Sequence, residues 1–177
     1  MQKTGHPGNR EGKVILLMNQ TIVFIHGLES TARGNKGRYF RAHFPQMIIE
    51  DYQGNFDCRM QKLREVLAGK SNLVLVGSSY GGLMAATFAL EDENRVKKLI
   101  LLAPALNLKE FPSIPEKKLQ VPVVIFHGKH DDVVDPGTVR TIADETFSNL
   151  DYHLIDDDHP LSVHFPKLDW KTLLEQT

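Results

Sequence analysis

Four stretches of uninterrupted apolar residues punctuate the chain: residues 21–26 (TIVFIH), 73–76 (LVLV), 98–103 (KLILLA) and 121–127 (VPVVIFH). None alternates apolar with polar positions. Each therefore predicts a strand covered on both faces, the environment of a parallel sheet. Two weaker runs, 47–50 (MIIE) and 152–155 (YHLI), extend the series. Between the runs the pattern changes to helical spacing. Residues 59–68 place Met60, Leu63, Val66 and Leu67 on one face, residues 82–90 (GLMAATFAL) are rich in strong helix formers, and 38–43 and 168–174 read as shorter helices. Residues 136–147 open with Asp135 as a cap and proline at the first helical position. Strand–helix alternation of this kind predicts an α/β sandwich: a mostly parallel central sheet with helices on both faces. The segment 107–120 (NLKEFPSIPEKKLQ) is the only insertion able to cover a site, and it is short, so the cap is minimal.

Composition narrows the setting. With 177 residues the chain suffices for one domain, expected over 18–177. A formal net charge of −1 gives no electrostatic reason to expect a nucleic acid or an anionic membrane as partner. Cys58 is the sole cysteine, which excludes an intrachain disulfide and a cysteine-rich metal site and fits a reducing cytoplasm. The apolar run 14–18 is too short for a signal-peptide core or a membrane span. Residues 1–17 are expected to form a disordered extension, with Met18 as a candidate natural start. Nothing in the composition speaks to oligomeric state.

The run LVLV continues into Gly77-Ser78-Ser79-Tyr80-Gly81-Gly82. Gly77-x-Ser79-x-Gly81, with strand before and helix after, is the pattern of a nucleophile elbow. Glycines two before and two after the serine remove side chains where strand and helix cross. The hydroxyl is then held above the sheet at a helix N-terminus, where backbone N–H groups favour negative charge. Ser78 lies off the central position and reads as a small spacer. A serine alcohol needs a base, and the base an orienting acid. On this architecture the acid and then a histidine follow in chain order, each after a strand. Gly128-Lys129-His130-Asp131-Asp132-Val133-Val134 and Asp156-Asp157-Asp158-His159-Pro160 supply both.

With these parts in order, the sequence from Thr21 onward resembles the α/β-hydrolases. That resemblance implies the acid from Gly128-x-x-Asp131-x-x-Val134, making Asp131 the acid and Asp132 its rival. The family usually has proline directly after that valine. Here Asp135 intervenes, which implies a slightly displaced loop. His159 is implied as the base, with His164 as competitor, while His130 and His153 are poorly placed. Phe24-Ile25-His26-Gly27-Leu28 is similar to the family's entry to the oxyanion hole, whose donors would be the backbone N–H groups of Leu28 and Tyr80, with His26 bracing the loop. Loop 26–40 resembles that of the small YqiA-like esterases. The resemblance implies a serine hydrolase acting on small carboxylic esters or thioesters, without metal or organic cofactor, with an open site for short acyl groups. Leu106, Phe111 and Ile114 are read as covering the sheet edge rather than lining that site. The acidic run 156–158 either raises the basicity of His159 or forms a solvated turn. The alternative class is a non-catalytic binding protein on the same fold, although no member of the Ser-His-Asp set is missing.

Overall fold

The computed structural model describes residues 20–175; the expected extension at 1–17 and Met18 lie outside them. The described strands are β1 (Thr21–Ile25), β2 (Ile48–Ile49), β3 (Leu73–Ser78), β4 (Val96–Leu102), β5 (Val123–Gly128) and β6 (Leu150–Ile155). The helices between and after them are α1 (Asn35–His43), α2 (Phe56–Leu67), α3 (Tyr80–Glu91), α4 (Pro136–Thr146) and α5 (Trp170–Glu175). They make one sheet in the order β2-β1-β3-β4-β5-β6, and every neighbouring pair is parallel. The expected mostly parallel sheet is thus parallel throughout its described strands.

The apolar runs follow from where their alternate side chains go. Val23, Ile25, Leu73, Leu75, Leu99, Leu101, Val123 and Ile125 face one core, against Met60 and Leu63 of α2, Leu83 and Met84 of α3, and Val139 and Ala143 of α4. Ile22, Phe24, Val74, Val76, Ile100, Leu102 and Phe126 point the other way, toward Phe40 of α1 and Trp170 and Leu174 of α5. The period-two geometry of a strand therefore feeds two cores at once, and few positions on an inner strand are left for a buried polar residue. Lys98 of β4 and His127 of β5 are two such residues. The stem of Lys98 is buried, and its Nζ donates to Leu173 O at 2.8 Å in α5.

Tyr80 through Ala89 of α3 are all buried, so this helix packs along its length on the sheet beside β3. The edges are less covered: β2 is two residues long, and β6 has exposed positions at Asp151 and Leu154. Because all the strands run the same way, the loops leaving β1, β3, β5 and β6 emerge along one rim, which is where residues 26–28, 79–80, 131 and 159 lie. No helix among the described residues is long and apolar enough to cross a membrane.

The second core is aromatic. The Phe40 ring lies 5.0 Å from Phe24, 4.7 Å from Trp170 and 5.4 Å from Phe165, centre to centre, and is fully buried. Phe40→Ala is expected to destabilise the fold by about 3–5 kcal/mol, read as a lower denaturation midpoint with an unchanged denaturant slope.

Candidate active site

The elbow is built on two close approaches. A Cβ on Gly81 would collide with the carbonyls of Ile25 and His26 at the end of β1, and a Cβ on Gly77 would meet the Gly81 backbone. Ser79 between them has φ 53° and ψ −115°, a conformation that L-residues adopt rarely. Surrounding bonds hold it there. Its N–H donates to Leu102 O at 2.8 Å, and its carbonyl accepts from Gly82 N (2.9 Å), Leu83 N (3.2 Å) and Ala105 N (3.1 Å). Although Ser79 stands at the cap position of α3, its side chain caps nothing. The hydroxyl is therefore free to face the loop after β6.

There it meets His159. The Nε2 atom lies 3.0 Å from Ser79 Oγ, and Nδ1 lies 2.7 Å from Asp131 Oδ2. The Asp131 side chain is fully buried, and its second oxygen accepts from Val133 N (2.9 Å) and Val134 N (2.8 Å). Burial disfavours its charge, but these N–H groups and His159 outweigh burial and hold its pKa below the usual carboxylate range. Asp132 is exposed. Val134 is buried and anchors the loop in the core, which accounts for the apolar position three residues after the acid. Asp135, interposed before Pro136, does not draw Asp131 away; it caps α4 by accepting from Thr138 N at 2.7 Å.

Four other described histidines lie elsewhere. His164 pairs with Asp157 (3.0 Å), His130 with Asp156 (2.7 Å) and His153 with Asp151 (2.9 Å), while His43 stacks on Tyr39. His153 also stacks on Phe126, within its strand.

The acidic run beside His159 builds its turn. Asp157 is buried and accepts from the N–H groups of Asp158 (2.9 Å), Val163 (3.2 Å) and His164 (2.7 Å), and Asp158 accepts from Ser162 N and Oγ, both at 3.0 Å. Of the three carboxylates, none is hydrogen-bonded to His159. Leu161, at φ 56°, turns back so that its side chain is fully buried in the aromatic core. The acid loop and the histidine loop are also stitched together: Lys129 N donates to Ile155 O (2.8 Å) and His130 N to Asp157 O (3.0 Å). Any Cβ on Gly128 would strike the Asp157 and Asp158 carbonyls.

On the other side of Ser79 lies the turn after β1. Tyr52 N donates to His26 Nε2 at 3.0 Å, so the proton sits on Nδ1, which donates to Gly27 O at 2.7 Å. That carbonyl belongs to the peptide whose N–H is Leu28's, so the ring fixes the orientation of the expected donor. Burial lowers the His26 pKa and keeps the ring neutral. Arg59, buried on α2, donates to Leu28 O at 3.2 Å and to Gly54 O at 3.0 Å, and its guanidinium lies 5.6 Å from the centre of the Tyr80 ring. Among the described residues, no protein acceptor takes the N–H of Leu28 or of Tyr80.

These elements enclose a cavity of about 500 Å³, within the ordinary range of small-molecule sites. Toward β1 it is lined by Leu28, Glu29, Ser30, Asn35 and Lys36, and toward β4 and β5 by Ala105, Leu108, Val133 and Val134. Leu106 is buried and Phe111 packs against the core, as expected of sheet-edge cover, while Ile114 is exposed. From the 107–120 segment it is Asn107 and Leu108 that reach the cavity.

Three residues at the site escape the sequence patterns. Lys36 donates from Nζ to Pro160 O at 2.6 Å and so ties α1 to the residue after His159. Arg59 steadies the turn at Leu28. His127 lies at 3.0 Å from Asp131 Oδ2. A polar residue closing an apolar strand was the one available signal for His127.

A protein-family model described as serine aminopeptidase, S33, matches residues 34–117. No curated protein matches the chain by sequence. Among solved structures, a protein of Xanthomonas campestris pv. campestris described as a hydrolase of the alpha/beta superfamily is 24% identical, with a TM-score of 0.70 over 84% of this chain and 91% of that one. Est1E of Butyrivibrio proteoclasticus, solved with ferulic acid bound, is 16% identical, with a TM-score of 0.68 over 88% and 89% of the two chains. Mouse alpha/beta hydrolase domain-containing protein 10 is 20% identical, with a TM-score of 0.65 over 84% and 88%. The chain has the α/β-hydrolase fold, a parallel sheet with helices on both faces that it shares with these solved structures.

The turn that carries His159 has a pH signature. Burial disfavours the charge of Asp157, but the N–H groups of His164, Asp158 and Val163 and the His164 ring outweigh it and hold its pKa at about 2. A carboxyl depressed in this way adds stability above the unfolded-state value, and that stability is lost as pH falls from about 4 toward 2. Asp157→Asn is expected to cost about 2 kcal/mol at pH 7 and to converge on the parent near pH 2, in thermal melts across that range.

Proposed function

We propose that this protein is a serine hydrolase that cleaves small carboxylic esters or thioesters through an acyl-Ser79 intermediate. One observation carries the reading: Ser79, His159 and Asp131, from three separate loops, form a continuous hydrogen-bonded row opening on the cavity. In the proposed first step Ser79 Oγ attacks the carbonyl carbon as His159 Nε2 takes its proton, and Asp131 steadies the imidazolium. The carbonyl π electrons move to oxygen, and that oxyanion rests against the N–H groups of Leu28 and Tyr80. Donors already in place are worth most there, about 3–4 kcal/mol each. Collapse of the intermediate expels the leaving group, which takes the proton from His159. Water, deprotonated by His159, then attacks the acyl-serine; collapse of this second intermediate releases the carboxylic acid, and Ser79 Oγ takes the proton back from His159. No step calls for a metal or an organic cofactor.

The cavity supports the substrate class. Its β4–β5 side offers apolar contact for an acyl group, and its β1 side offers polar groups for a leaving group. The open mouth and the short 107–120 segment give a long chain little to lie under, in keeping with the compact esterases that the loop after β1 resembles. The single cysteine fits a cytoplasmic setting.

A fluorophosphonate probe is expected to label Ser79 covalently, read by peptide mass spectrometry, and Ser79→Ala is expected to lower turnover by on the order of 10⁶-fold. Absence of label on Ser79, or near-parent turnover in the alanine variant, favours a binding protein instead. Among substrates, p-nitrophenyl butyrate is expected to turn over faster than the palmitate. Faster cleavage of an amino-acid p-nitroanilide than of either ester would move the assignment toward the aminopeptidase activity for which the matching family model is named.

A further inference from the structure

We propose that His127 is a positioning residue for the acid: its Nε2–H shares Asp131 Oδ2 with His159, fixing the carboxylate's orientation and limiting the negative charge that His159 feels. The proposal rests on the reading of Ser79, His159 and Asp131 as the reacting row.

His127 is the fifth residue of β5 and is fully buried, between Phe126 and Gly128. A buried imidazole is unfavourable unless its nitrogens find partners. Nε2 lies 3.0 Å from Asp131 Oδ2 and 3.1 Å from Val134 O. Both are acceptors, so Nε2 carries a proton. On the far side of the ring, Nδ1 is 3.1 Å from the Tyr152 hydroxyl of β6, which also lies 3.0 Å from Pro136 O. The ring is therefore held at both ends, and so is the carboxylate. Oδ1 takes two backbone N–H groups, and Oδ2 takes one imidazole from each side. Rotation about the Cβ–Cγ bond would break all four contacts together.

The charged and titratable groups facing His127 are few. Asp131 and Asp135 come from the loop before α4, Tyr152 from β6 and His159 from the loop after it, and Arg140 of α4 lies 5.1 Å from the centre of the Tyr152 ring. Burial lowers the His127 pKa, so near neutrality it acts as a neutral donor and not as a second cation beside His159. A neutral N–H on Oδ2 draws charge from the oxygen that stabilises the His159 imidazolium. The base then gives up its proton to the leaving group more readily, while Asp131 stays ionised.

The test compares parent protein, His127→Leu, His127→Gln and Tyr152→Phe. Glutamine can place an N–H near the position of Nε2, and leucine cannot. The His159 pKa, read by NMR titration without substrate, is expected to rise by about half a unit in His127→Leu. It should return toward the parent value in His127→Gln and rise by a smaller amount in Tyr152→Phe. With p-nitrophenyl butyrate, kcat/KM at its optimum is expected to fall about tenfold or more in His127→Leu, with the acid limb moved to higher pH and both effects reduced by glutamine. An unmoved His159 titration in His127→Leu, or glutamine no better than leucine, overturns the proposal. Should the leucine variant fail to fold, the Tyr152→Phe titration decides, and no shift there is the overturning result. Because the titration needs no turnover, a parent protein without esterase activity would defeat the functional reading and leave this test intact.

Discussion

Where α3 leaves β3, two backbones cross so closely that neither Gly77 nor Gly81 has room for a β-carbon. The crossing forces Ser79 into a positive-φ turn, and the turn lifts its hydroxyl off the sheet into the cavity. Strain of this sort costs on the order of 1–3 kcal/mol and persists only where neighbours over-determine it. Here they do: one N–H and one carbonyl of Ser79 make four backbone bonds, to the end of β4, the first turn of α3 and the loop after β4. The contact of Gly81 with the Ile25 carbonyl also sets how near the turn after β1 stands to the serine. Distances around the hydroxyl thus descend from a backbone crossing rather than from any side-chain choice.

The two cores make that crossing rigid. Inner strands with apolar residues on both faces leave the sheet little freedom to slide, and α3 is buried for most of its length. Polar groups near the site are satisfied locally by the loops: Asp131 by its own following residues, Asp157 by the turn it starts, His26 by the peptide it orients. Each loop therefore arrives pre-shaped at the rim, and assembly of the row needs only the parallel order of the strands.

Most of this was legible in the sequence because it depends on local pattern. Uninterrupted apolar runs marked β1, β3, β4 and β5, and Gly77-x-Ser79-x-Gly81 marked the elbow. The resemblance to the α/β-hydrolases favoured Asp131 over Asp132 through its spacing from Gly128 and Val134, and the structure gives those positions reasons: Gly128 touches the histidine loop, and Val134 plugs the core. The run at 47–50 shrank to two paired residues, because an edge strand is fixed by what its one neighbour offers. The start of α1 was missed because Gly34 precedes it without a side-chain cap and its first residues are polar. Arg59 and Lys36 were invisible for a different reason. Each acts across the fold on a residue from another segment, and no spacing along one chain encodes such a contact. His127 reaches Asp131 only four residues on, and its one signal was a polar residue closing an apolar strand.

Part of the cavity wall comes from stretches of the rim that supply none of the reacting row. Leu108 and Asn107 belong to the segment after β4, which contributes none of Ser79, His159 or Asp131, and Ser30 and Asn35 belong to a stretch beyond the Leu28 turn. Sequence drift in those stretches can therefore reshape what the recess admits while the reacting atoms keep their spacing. A scaffold arranged this way separates recognition from chemistry, so divergence in one need not drag the other with it.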